Sequence, residues 1–228
     1  ANSNPPSSLD YDFWLGPAPK RPYNPLRSHF QFRYFWDYSG GAFADFWCHI
    51  SDIAYWALDL KAPRTVSATG GRRLVDDIAE TPNTLEAIYD YDEIPLVFTL
   101  NPTGIPGFLH MGGIGCMIQG VKGTLVTNYS SHEVYIDNKK VEDPDLGSTP
   151  ALEPSPGHMR QFLNCVKTRE APDCNVEYAQ RLVKGMHLGL IAYKRGETVT
   201  WDDEKERFIR DSQANRMLQR RYRRPWRL

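Results

Sequence analysis

Between residues 42 and 58, apolar side chains recur at the helical interval: Phe43, Phe46, Trp47, Ile50, Ile53, Ala54 and Ala57. At about 100° per residue they form one stripe, the pattern of a helix buried along one face. Ser39-Gly40-Gly41 precedes the stripe, with Ser39 a candidate N-cap. Upstream, HFQFRYFW sets Phe30, Phe32, Tyr34 and Trp36 against Gln31, Arg33 and Phe35, an alternation that predicts a strand. From 64 to 136 the texture changes to short β-prone runs divided by turns: TVSATGG, NTLEAIYDY, IPLVFTL, FLHMGGIGCMIQG, GTLVTNY and EVYID. Such closely spaced runs predict five or six strands of a largely antiparallel sheet. A loop rich in Asp, Pro, Gly and Ser over 138–156 leads to helices near 156–168 and 176–194. A strand at 198–202 and a short helix near 212–221 complete the pattern. The fold class is therefore α+β, an open, mostly antiparallel β-sheet with helices packed on one face. Residues 1–27 hold six prolines among aromatics, and this Pro/aromatic-rich segment is expected to lie against the domain formed by 28–228.

The far side of the 42–58 helix departs from the usual solvated face. Asp45, His49, Asp52 and Trp56 fall within an arc of about 60°, roughly 125° from the centre of the apolar stripe. No Lys, Glu or Gln occurs between 42 and 60, so this side reads as the wall of a half-enclosed cleft. A histidine one turn from a carboxylate suits general acid–base chemistry, and a helix N-terminus favours the anionic form of Asp45. The same residues also fit a local pair and a charge on the first turn, and spacing alone leaves both readings open. Asp45, His49 and Asp52 as three metal ligands is the least supported reading, because no matching histidine cluster accompanies them. Arg33, just before the turn, could hold a substrate oxygen.

Composition narrows the function classes. At 228 residues the chain fits one domain with a sizeable core, its net charge of −1 draws no nucleic acid, and no run is long enough to span a membrane. The last 13 residues, RMLQRRYRRPWRL, hold six arginines and no acid. With Met217, Leu218, Tyr222 and Trp226 as anchors, this tail is expected to dock on the acidic body rather than on nucleic acid. Cys48, Cys116, Cys165 and Cys174 form no C-x2-C pair, so no structural zinc is expected. There is no G-x-G-x-x-G between a strand and a helix, no P-loop and no G-x-S-x-G. The opening ANSNPPSS has neither a methionine nor a leader pattern, so the chain is expected to be processed or part of something longer.

GGAFADFWCHISD resembles the G-G-x3-D-x3-H-x2-D signature of the Gfo/Idh/MocA oxidoreductases. DFWLGPAPKRPYNP, YFWDYSGG, GVKGTL, HMRQFLNCVKTRE, ETVTWDDEKERF and ANRMLQRRYRRPW look like a bacterial branch of that family in the same order. The resemblance covers nearly the whole chain but only the family's C-terminal domain. It implies that Asp45 and His49 are the catalytic pair, with Asp52 in a supporting role; Arg33, Tyr34 and Trp36, just before the motif, are further candidates for contact with the substrate. It further implies NAD or NADP as the family's cofactor, held by a Rossmann domain supplied elsewhere and not bindable by this chain alone. The implied partners are a carbohydrate or polyol substrate and a second copy of the chain through the open sheet face. Two alternatives stand beside this. One is a cofactor-independent glycoside hydrolase or lyase using Asp45 and His49. The other is a non-catalytic carbohydrate-binding module using Trp14, Tyr23, Tyr34 and Trp36. Bacterial cytoplasm and periplasm are both open.

Overall fold

The computed structural model of the chain describes residues 1–73, 75–102, 113–145, 147 and 155–227. Its strands divide between two antiparallel sheets. The larger has the order β3-β2-β1-β8-β9, built from β1 (Thr65–Gly71), β2 (Thr84–Tyr91), β3 (Ile94–Leu100), β8 (Val199–Asp202) and β9 (Arg207–Phe208). The smaller has the order β4-β5-β6-β7, from β4 (Cys116–Gly120), β5 (Gly123–Thr127), β6 (His132–Ile136) and β7 (Lys139–Val141). The α+β class with mostly antiparallel strands is as the sequence predicts. The single sheet expected from that run of strands is two, and β7 lies inside the stretch expected to be loop. Part of that loop, and the first half of FLHMGGIGCMIQG with His110, lie outside the described residues.

Alternation along β2 shows which face the helices cover. Leu85, Ala87, Tyr89 and Tyr91 are buried, while Glu86 and Ile88 face out, and Ile88 pairs across the register with exposed Val97 on β3. Against the inner face lie α2 (Gly41–Leu58) and α4 (Val176–Arg195), which also pack on each other. Asn175 caps α4, its side chain accepting from the Tyr178 N–H, and Gly196 ends it in the left-handed region. Two glycines let α4 approach closely. A Cβ at Gly185 would sit 2.2 Å from Tyr55 Oη, and one at Gly189 would sit 2.0 Å from Tyr89 Oη. Trp47 lies at the centre, fully buried against Phe43, Tyr89 and Phe98, with its indole N–H donating to the Leu182 carbonyl at 2.8 Å. Such an aromatic centre dominates the apolar area removed from water.

Both ends of the chain are fastened to this body. The segment before residue 28 contains one helical turn, α1 (Tyr11–Leu15), and buries Leu15 and Tyr23. Beyond the short helix α5 (Ser212–Met217), the tail lies across that segment. Arg223 donates to the Asp12 carboxylate and to the carbonyls of Asp12, Gly16 and Ala18, while Trp226 packs on Phe13. The remaining helix, α3 (His158–Thr168), leaves its apolar stripe of Met159, Phe162, Leu163 and Val166 exposed.

One predicted element is replaced. Residues His29–Tyr34 form a 3-10 turn rather than a strand. Their N–H groups find local partners, as in Gln31 to the Ser28 carbonyl and Phe35 to the Phe32 carbonyl, and no strand runs alongside among the described residues. Only Phe35 of the aromatic series is buried, while Phe30 is exposed. The alternation came from residues that favour strands, but one inward anchor with exposed neighbours suits a turn better than a two-sided strand.

Candidate active site

The glycine pair before α2 is explained by space and by backbone angle. A Cβ on Gly40 would meet Leu190 at 2.5 Å, and Gly41 has a φ of +76° with Thr81 in the way. Gly40 rather than Ser39 occupies the N-cap position, without a side-chain cap bond. The close approach fixes where α2 starts, and so where its polar residues point.

The buried face of α2 consists of Gly41, Phe43, Trp47, Ser51, Ala54 and Tyr55. Its centre is turned from the predicted stripe, and the arc holding Asp45, His49, Asp52 and Trp56 lies about 145° away from it. Phe46 and Ile50 instead line a cavity of about 1600 Å³ that α2 shares with β3 and β4. The helix thus carries three surfaces: a buried one on α4 and the sheet, an apolar flank on the cavity, and an open polar one.

On the open surface the structure joins two predicted residues directly. Arg33 Nη1 donates to Asp45 Oδ2 at 2.8 Å, both side chains being half-buried. The guanidinium lies 3.8 Å from the centroid of the Phe30 ring, a cation–π contact that holds it flat. Asp45 Oδ1 has no partner among the described residues. One turn on, His49 is exposed, with Phe46 and Tyr129 ring centroids each 6.1 Å away and Tyr129 edge-on. Neither imidazole nitrogen has a hydrogen-bond partner among the described residues.

Asp52 belongs to a different contact. Tyr178 on α4 donates its hydroxyl to Asp52 Oδ1 at 2.5 Å, and burial, then that bond, push the tyrosine pKa up. Burial, with Asp52 second, likewise raises the Cys48 thiol. Trp36 faces α4: the Lys194 ammonium lies 3.9 Å over its ring and Tyr193 stacks on it. The Tyr34 carbonyl accepts from the N–H groups of Glu80 and Thr81, and its side chain borders the large cavity. Arg33, Asp45 and His49 are therefore on one open surface, Asp52 links α2 to α4, and Trp36 has its partners elsewhere.

Sequence reasoning missed three contributors: Phe30 beneath Arg33, Tyr178, and Tyr129. Tyr129 is presented by a turn in which Asn128 Oδ1 accepts from the N–H groups of Ser130 and Ser131. The string NYSS carries that turn signal, an Asn followed by serines between two strands. Among the described residues, no group of three or more His, Cys, Asp or Glu is placed to hold a metal. No helix there is long and apolar enough to cross a membrane.

Helices packed on one face of an antiparallel sheet, with Asp45 and His49 on the open side of α2, make a mixed α/β domain. The family description "Oxidoreductase family, C-terminal alpha/beta domain" matches residues 1–228, and the chain belongs to the Gfo/Idh/MocA oxidoreductases. Its fold is similar to that of an NAD-binding protein from Listeria innocua, with a TM-score of 0.53, 15% identity, and coverage of 81% of this chain and 52% of that one. It is similar also to the WlbA dehydrogenase from Bordetella pertussis, solved with NADH and UDP-GlcNAcA. There the TM-score is 0.54 and the identity 15%, with coverage of 75% of this chain and 50% of that one. The chain spans about half the length of each, and at this identity the likeness concerns fold alone. No curated protein matches the chain in sequence.

Proposed function

We propose that the chain is the substrate-binding and catalytic half of a carbohydrate-active oxidoreductase, acting on a sugar, polyol or glycoside. The observation that carries this is His49, open to solvent with both nitrogens unpartnered and one turn beyond a carboxylate fixed by Arg33. Every strand pairing among the described residues is antiparallel, so these residues hold no parallel βαβ unit of the kind that cradles a pyrophosphate. In this reading NAD or NADP, the hydride acceptor, is carried by a Rossmann domain outside this chain. The exposed apolar strip on α3 suits contact with such a domain, and the outward sheet face around Ile88 and Val97 suits a second copy.

Within the chain the division of work is as follows. Arg33 fixes one oxygen of Asp45 and leaves the other for a substrate hydroxyl. His49 accepts the proton of the hydroxyl undergoing oxidation. Phe46 and Tyr129 flank the ring, Tyr129 edge-on, and leave it accessible to the hydroxyl.

The test uses the longest polypeptide that carries this domain, assayed for nicotinamide reduction with polyols, free sugars and nucleotide-linked sugar acids. Exchange of His49 for Gln lowers turnover by about 10²–10⁴-fold, the usual worth of a general base, while the melting temperature holds. Full activity in that variant removes His49 from the mechanism. Quenching of tryptophan fluorescence by NADH with residues 1–228 alone contradicts the division of the site. Sugar release without any nucleotide replaces oxidation by hydrolysis.

A further inference from the structure

The C-terminal tail carries more positive charge than its docking consumes. Arg223 is fully engaged by the N-terminal segment, and its N–H also donates to the Pro17 carbonyl at 2.9 Å. Arg220 donates from Nη1 to the Asp37 carbonyl, a neutral acceptor. Arg216 and Arg221 have no partner among the described residues. These three arginines, with Asn215 and Gln219, line a cavity of about 430 Å³ beside α5.

No carboxylate is among the residues lining this cavity, and the acids around it are already matched. Asp37 and Glu80 both pair with Arg21, at 3.1 and 2.9 Å, and Asp211 pairs with Arg195 at 2.9 Å. The Lys194 ammonium, packed on Trp36, has no ion-pair partner among the described residues. Its pKa is lowered by burial first and by Arg220 second, and the same two causes lower that of His187. Like charges thus press on one another here, and a bound anion would relieve them.

The scaffold is fixed on both sides. The Asn215 side chain ties α5 to β9, bonding Phe208 N–H, the Phe208 carbonyl and the Asp211 carbonyl, and Arg223 anchors the other end. These bonds fix the backbone that carries the arginines, while the Arg216 and Arg221 side chains stay unpartnered and open to an anion.

We propose that this arginine-lined cavity binds the phosphate group of a small phosphorylated ligand. Planar guanidinium forks match phosphate oxygens in pairs. The cluster is confined to the few residues at and just after α5, an extent that suits a compact anion rather than an extended nucleic acid strand.

The experiment titrates residues 1–228 with inorganic pyrophosphate at physiological salt, read by calorimetry and tryptophan fluorescence. The expected result is saturable binding at one site. In the Arg216→Gln, Arg221→Gln double variant the affinity drops by about tenfold or more while the thermal melt is unchanged, since both side chains are exposed. Absence of saturable binding overturns the proposal, and so does equal affinity in the double variant. A single-stranded oligonucleotide that binds more tightly than pyrophosphate, with affinity growing with its length, also overturns it in favour of a nucleic acid surface. None of these readouts depends on turnover, so the result stands apart from the role proposed for His49.

Discussion

Replacing Gly185 by alanine tests the contact that sets the rotation of α2. An added Cβ would lie 2.2 Å from Tyr55 Oη and 2.8 Å from Trp47 Cζ2. Alanine gains about 1 kcal/mol in helix propensity over glycine. Against this, overpacking a fixed core costs about 1–3 kcal/mol. Tyr55 cannot swing aside freely, because its hydroxyl pairs with that of Tyr91 at 2.6 Å in the interior. Breaking that pair leaves two buried hydroxyls unsatisfied, at about 1–3 kcal/mol each. If the pair breaks even in part, the net loss is about 2–3 kcal/mol, and the melting temperature falls by about 5–10 °C for a chain of this size. Urea unfolding followed by tryptophan fluorescence measures it. Adding Tyr55→Phe removes the atom in closest conflict, so the double variant should be less destabilised than the two single changes summed, by more than about 1 kcal/mol. A Gly185→Ala protein as stable as the parent, or strict additivity in this cycle, refutes the argument that α4 sits on α2 through this gap.

Alkaline pH probes the same interior. Burial raises Tyr55 to about 12 and pushes Tyr89 and Tyr91 higher still. The native state therefore keeps protons that the unfolded chain releases above about pH 10, and stability is lost as pH rises through that range. Three tyrosines give a slope of up to about 4 kcal/mol per pH unit, and urea midpoints that stay flat from about pH 9 to 11 contradict it. Tyr178→Phe leaves Asp52 without its donor and should cost about 1–2 kcal/mol in urea unfolding, the range for a half-buried bond to a carboxylate; no change would mean the bond is solvent-compensated. Arg223→Ala releases the tail from the N-terminal segment, and trypsin should then cut the tail about tenfold faster or more, with the rest of the chain still protected. Equal cutting rates would show that Arg223 does not hold it.

Much of the fold was legible because long helices and turn-bounded strands leave periodic traces. The helices at 41–58, 158–168 and 176–195 and six of the strands begin and end within a few residues of where periodicity puts them. What failed depended on partners distant in sequence. In 29–36 the aromatics imitate a strand, but a strand needs a neighbour to satisfy its backbone, and the turn supplies those bonds within itself. The division into two sheets escaped notice for a similar reason. Antiparallel runs look alike whether they continue one sheet or open another, and the choice lies in register, seen in β1 pairing with β8 from the far end of the chain.

The candidate site shows why a polar residue can be placed on a helix from sequence while its partners stay hidden. Asp45, His49 and Asp52 do share a face, as the 3.6-residue period requires. That period cannot tell which of several apolar surfaces faces the core, and here the core side includes Ser51 and Tyr55, which a hydrophobic count discards. Tyr55 is buried because Tyr91 satisfies it, a pairing 36 residues apart in sequence. The rotation that results separates the three polar residues by partner. Asp45 goes to Arg33, Asp52 to Tyr178, and His49 alone is left without a hydrogen bond among the described residues. In the role proposed above, His49 exchanges the proton because no contact within the fold occupies it, Asp45 keeps one oxygen unpartnered beside it, and Asp52 links α2 to α4 through Tyr178.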